Sequence, residues 1–178
     1  MARNDTFFLR SNIVSTGTTY VSDEIDISAY TDPARGRVLV VDRGFITVDS
    51  DSAAGTGGPL IPADIVSSGT GGRSVGIQAC SETQTTLQET SDNSLFMKTN
   101  FYAAVGVAGT ITFVGEMNAL NPAQYVGGFI IPTDKIHVGA LTGVDWNGDL
   151  DIGFMFEVHT EKLSLQRIQE LLVSLTAN

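Results

Sequence analysis

Tyr20-Val21-Ser22-Asp23-Glu24-Ile25-Asp26-Ile27 sets Val21, Ile25 and Ile27 on one face of an extended chain. Apolar residues repeating with a period of two read as a half-buried strand, and this reading extends outward along the chain. After the turn signal Thr31-Asp32-Pro33, the runs Arg37–Val41 and Gly44–Val48 are β-branched, too short for helices, and separated by Asp42-Arg43. They predict two neighbouring strands. Further strands are expected at Val75–Cys80, Thr83–Gln88, Leu95–Lys98, Phe101–Val105 and Thr110–Val114, punctuated by Gly106, Gly109 and Gly115. Asn118 to Gln124, with Pro122, suits a turn or a single helical turn, and Gly127–Ile131 and Lys135–Val138 follow as strands. Val144–Trp146 and Leu150–Val158 flank Asn147-Gly148, a two-residue hairpin signal. Short strands at this spacing predict an all-β sandwich or barrel.

Two stretches depart from the strand pattern. The span 49–74 is rich in glycine, serine and aspartate and is expected to be an exposed loop insertion. Within it, Pro59 and Pro62 bracket Leu60 and Ile61, an apolar pair suited to lodging in an adjacent subunit or against the domain's own sheet. At the other end, Leu165, Ile168, Leu172 and Leu175 recur at i, i+3, i+7 and i+10, with Leu171 widening the stripe. This predicts an amphipathic C-terminal helix over 163–176, capped by Ser164 or Thr160. Such a stripe either covers one end of the sandwich or docks on a neighbouring subunit.

The 178 residues, 42% of them hydrophobic, form one expected domain, 1–178, able to bury a core without metal or disulfide staples. Cys80 is the only cysteine, so no intrachain disulfide forms, and its expected role is that of a small buried apolar residue. The first residues lack the pattern of a secretory signal, and no apolar run approaches the ~18 residues of a transmembrane segment, so a soluble chain is expected. A formal net charge of −10 repels phosphates and speaks against direct nucleic-acid binding.

Motifs that could carry chemistry lack their context. Gly72-Arg73-Ser74-Val75-Gly76 matches a hydrolase nucleophile pattern, but a glycine loop precedes it and no helix follows. Asp145, Asn147, Asp149 and Asp151 resemble the front of a calcium loop, although Leu150 stands where glycine is required and Phe156 occupies the twelfth position. A hairpin accounts for the same residues. His137 and His159, without a cysteine pair, make a poor zinc set and are expected within strands. No cofactor site and no enzyme are expected.

Together, the strand rhythm, the glycine-rich loops, the acidic surface and the single peripheral helix resemble the small single jelly-roll major capsid proteins of tailless icosahedral viruses with an internal membrane. That resemblance implies a shell subunit that associates with copies of itself and with other virion proteins. Its place would be the virion, after a soluble stage in the host cytoplasm. The first ten residues offer only Arg3 and Arg10 against Asp5, so they make no basic arm for a genome. A lipid vesicle inside the shell, or packaging into a preformed shell, would then hold it. A spike, tail or decoration protein, and a carbohydrate- or calcium-binding β-sandwich module, are the alternatives.

Overall fold

A computed structural model describes residues 6–51, 57–115 and 119–175. Its strands are β1 (Phe7–Ser15), β2 (Val21–Asp26), β3 (Arg37–Asp51), β4 (Gly57–Gly58), β5 (Gly71–Cys80), β6 (Leu95–Val105), β7 (Ile111–Gly115), β8 (Phe129–Ile131), β9 (Lys135–Thr142) and β10 (Leu150–Lys162). Two helices accompany them, α1 (Pro62–Ile65) and α2 (Leu165–Leu175). One sheet runs β1-β10-β3, with β8 and β4 both on the far side of β3, and the other runs β2-β9-β5-β6-β7.

The pairings are nested. β1 pairs with β10, β2 with β9, β3 with β8 and β5 with β6, all antiparallel, so the first half of the chain pairs back on the second. Leaving aside the short β4 and the added strand β7, eight strands wound this way over two facing sheets are a jelly roll. The fold is an all-β jelly roll with a C-terminal helix.

Alternation builds the core. On β10, Leu150, Ile152, Phe154, Phe156 and Val158 face inward, opposite Ile77, Ala79, Phe96, Val138 and Ala140 of the second sheet. Phe96 packs on Phe156 and Phe129, with ring centroids 5.8 and 5.1 Å apart. Each large side chain removed from water in this way contributes roughly 1.5–3 kcal/mol. Val21 and Ile25, the apolar positions of the first strand signal, pack on the edge of this core, and Ile27 beyond β2 is fully buried.

Several expectations need correction. Arg37–Val41 and Gly44–Val48 form one strand, because the register shift beside Glu157 and Val158 absorbs Asp42 as a bulge without ending the pairing. Leu95–Lys98 and Phe101–Val105 likewise form one strand, β6. Thr83–Gln88 is not a strand. The segment between β5 and β6 instead folds over the outer side of the second sheet, where Gln78 holds it: Nε2 donates to the Thr86 carbonyl at 2.8 Å and to the Tyr20 hydroxyl at 2.9 Å, and Oε1 accepts from the Gln88 N–H at 2.7 Å. Leu87 covers Gly76, and the Tyr20 ring covers Gly139, where a Cβ would lie 2.0 Å from the hydroxyl.

Asn147-Gly148 is not a hairpin turn either. β9 and β10 belong to different sheets, so 143–149 crosses the end of the sandwich. There the Asn147 amide donates to the Ala63 carbonyl at 2.6 Å and the Gly148 N–H to the Asp64 carbonyl at 2.9 Å. A Cβ on Gly148 would sit 3.1–3.3 Å from atoms of Asp64, so glycine serves a close approach to α1.

Nor is 49–74 uniformly an exposed loop. Asp49–Asp51 complete β3, Gly71–Ser74 begin β5, and Ile65 and Val66 are buried in the core. Pro62 at the first turn and an Asp64 carboxylate accepting from the Ile61 N–H at 2.8 Å start α1 and point Ile65 inward. Residues 52–56 of that span, and residue 176 of the expected helix, lie outside the described residues.

Candidate interaction surfaces

α2 begins where Ser164 Oγ accepts from the Arg167 N–H at 3.2 Å, which settles the cap in favour of Ser164. The preceding Leu163 N–H donates to the Gly36 carbonyl at 2.8 Å, and Asn93 Nδ2 donates to the Ser174 carbonyl at 2.8 Å. These bonds lay the helix across one end of the sandwich, against the 3₁₀ turn Pro33–Arg35. The expected stripe divides there. Ile168 (3% exposed) and Leu175 are buried, with Leu171 partly so, whereas Leu165 (54%), Leu172 (39%) and Val173 remain exposed. Roughly a quarter of a turn about the helix axis separates the two sets, so the helix both covers its own domain and presents a second apolar ridge.

Leu60 packs against the core and Ile61 is exposed, so of the proline-bracketed pair only Ile61 is presented to a neighbour.

A second apolar surface arises from alternation in the first sheet. With the even-numbered residues of β10 facing inward, the register places Phe8, Glu157 and Arg43 in one outward row, Arg10, Met155 and Phe45 in the next, and Asn12, Gly153 and Thr47 beyond. Phe8 (53%) and Phe45 (43%) are exposed. Gly153 lacks the side chain that would fill the middle of this face, since a Cβ there would lie 2.5 Å from Thr47 Oγ1. The result is a depression of about 500 Å³ floored by Gly153 and Met155. Sequence alternation identified β10 but not this face, because register decides which residues sit beside one another.

The calcium-loop residues are spread over different jobs. Asp145 offers its carbonyl to Arg73 Nε at 2.6 Å, the Asn147 amide is committed to Ala63, and the Asp149 carbonyl accepts from the Asp51 N–H at 2.9 Å. Asp151 lies opposite Asp49 and accepts from the Asn12 amide. Among the described residues no three acidic, histidine or cysteine side chains converge as metal ligands.

The hydrolase-like Ser74 lies within β5, with no strand-to-helix turn beneath it, and its carbonyl accepts from the Gly143 N–H at 3.2 Å. His159 belongs to the first sheet, its Nδ1 2.7 Å from the bulge residue's carboxylate, Asp42 Oδ2. His137 belongs to the second, its Nε2 3.4 Å from Thr83 Oγ1, and burial holds it below the ordinary histidine range. Burial also pushes the Cys80 thiol up to about 12, which keeps it protonated and unreactive at neutral pH. Trp146 is buried and stacks on Phe101 at 6.4 Å, so it offers no platform for a sugar.

No protein-family model and no curated protein matches the sequence. Among solved structures, the chain is similar to VP1 of trichodysplasia spinulosa-associated polyomavirus, determined with sialylated glycooligomers. That match has a TM-score of 0.46 and 8% identity, over 90% of this chain and 96% of that one. It is also similar to VP1 of Merkel cell polyomavirus, an unassembled pentamer, at 0.39 and 6% over 88% and 96%. Against the empty head of turnip yellow mosaic virus the values are 0.26 and 10% over 90% and 84%. All three are viral capsid jelly-roll proteins.

Proposed function

We propose that the chain is a shell subunit of a virion, associating with copies of itself. The observation that carries this reading is the uncovered apolar face of the first sheet. Phe45 and Met155, with Arg10, Asn12 and Thr47, line the Gly153 depression, and Phe8 is exposed beyond it, on the outside of a sheet whose inner face already builds the core. A sandwich that works alone has its apolar side inside, and large apolar side chains exposed on the outer side, set among Arg10, Arg43 and Glu157, suit a contact surface with an apolar centre and polar surroundings. The ridge of Leu165, Leu172 and Val173 supplies a second, at a different place on the molecule. Two distinct apolar patches allow each copy to contact more than one neighbour, as a closed shell requires. The resemblance to capsid proteins of tailless, membrane-containing icosahedral viruses adds the expectation of an internal membrane near the shell and of a genome held by other components. The net charge of −10 is consistent with the last point.

Sedimentation of the purified chain tests the reading. Wild-type protein should associate, and Phe45→Asp, which charges an already exposed position, should leave the fold intact and shift the distribution toward single subunits. Undiminished association of Phe45→Asp would remove this face from the assembly.

A further inference from the structure

The first sheet is incomplete along one edge. On the side of β3 away from β10, β8 covers Leu39–Val41 and β4 covers Ser50 and Asp51, and no strand among the described residues pairs with the stretch between them. Asn121 enters this gap as a one-residue substitute for a strand. Its Nδ2 donates to the Gly44 carbonyl at 2.8 Å, and its Oδ1 accepts from the Gly44 N–H at 3.5 Å. Strand alternation turns the N–H and C=O groups of Ile46 and Val48 toward the same opening. Behind it lies a cavity of about 320 Å³ between the sheets, walled by Ile46, Val48, Ile77, Met97, Phe101 and Leu120. Thr99 and Asn121 supply polar side chains to the lining, while Asn100 turns its side chain toward Gly76 on the outer side of the second sheet, and no charged residue is among the described lining residues.

We infer that this cavity binds a small uncharged molecule made of an apolar chain with an amide or hydroxyl at one end. The walls receive the chain. A carboxylate head would lose its hydration without meeting a cation among the described lining residues, whereas an amide or hydroxyl can pair with the Ile46 and Val48 backbone as Asn121 pairs with Gly44. The volume stands at the lower end of the roughly 300–1,000 Å³ of ligand cavities, which limits the occupant to a short chain. Because the site lies inside one subunit, it binds whether or not the subunits assemble, and it stabilises the folded chain by mass action.

Calorimetric titration and thermal melting of the full chain with hexanamide, hexanoate and acetamide at neutral pH test the site, alongside the cavity-filling variants Ile77→Phe and Val48→Leu. Hexanamide should bind once per chain and raise Tm, while hexanoate and acetamide should bind at least about tenfold more weakly. Either variant should weaken hexanamide by about tenfold or more. Val48→Leu adds a single carbon and serves if Ile77→Phe does not fold. Absence of hexanamide binding, equal binding of hexanoate, or undiminished binding in a folded variant would overturn the inference. None of these results bears on association, which the Phe45→Asp experiment reads separately.

Discussion

Gln78 is a buried polar side chain whose amide is fully occupied, holding Tyr20, Thr86 and Gln88 over the outside of the second sheet. Gln78→Ala strands the Thr86 carbonyl and the Gln88 N–H together, a loss of about 2 kcal/mol. Denaturant melts should show that destabilisation, and limited proteolysis should cut first between Ser81 and Ser94. Resistance of that segment in the variant would mean that Leu87 on Gly76 is enough to hold it. His137 gives a pH signature of its own. Burial lowers its folded-state pKa despite the nearby Glu24 and Asp134 carboxylates, with Lys135 acting in the same direction as burial. A base with a depressed folded pKa costs nothing above its unfolded value of about 6.5 and destabilises as pH falls through that value toward the folded one. Wild-type Tm should therefore fall more steeply between about pH 7 and 5 than that of His137→Gln, and parallel curves would contradict the assignment.

At the level of elements, α2 separates folding from association. Ile168→Ala removes a buried side chain and should cost about 3 kcal/mol, read as a lower melting temperature. The combined substitution Leu165→Ser, Leu172→Ser and Val173→Ser touches exposed positions, so stability should change little while association weakens. If the triple variant associates normally, the outer ridge is not a contact. The same helix shows what sequence could and could not reveal. Its existence followed from spacing, with the cap left open between Ser164 and Thr160, but Leu165 and Leu172 belong to the apparent stripe and still face outward, because only docking against Pro33–Arg35 decides which side is covered. Strand positions were legible wherever alternation was strong, as in β2 and β10. The bulge at Asp42 was invisible because a polar residue between two apolar runs reads as a break. Asn147-Gly148 misled for a related reason: glycine beside asparagine suits a turn, and nothing local reveals that Gly148 is needed for contact with Asp64. Of the surfaces, Leu165 and Leu172 were anticipated, whereas the Phe8, Phe45 and Met155 face depends on the β1-β10-β3 register and carried no signal along the chain.

For the whole molecule, the nested pairing commits most of the chain to one sandwich and leaves its two candidate contact surfaces at different places, the outer face of the first sheet and the α2 end. Copies that meet through them also bring together two bodies of the same sign, since each chain carries a net charge of −10. Screening shortens that repulsion from about 30 Å at 0.01 M to about 3 Å at 1 M salt, so association should strengthen as salt rises. Negative-stain microscopy of the purified chain across that range measures the central claim most directly. Closed particles of uniform diameter, more abundant at high salt and depleted by Phe45→Asp, are the result expected of a shell subunit. Dispersed single subunits at every salt and protein concentration would contradict it.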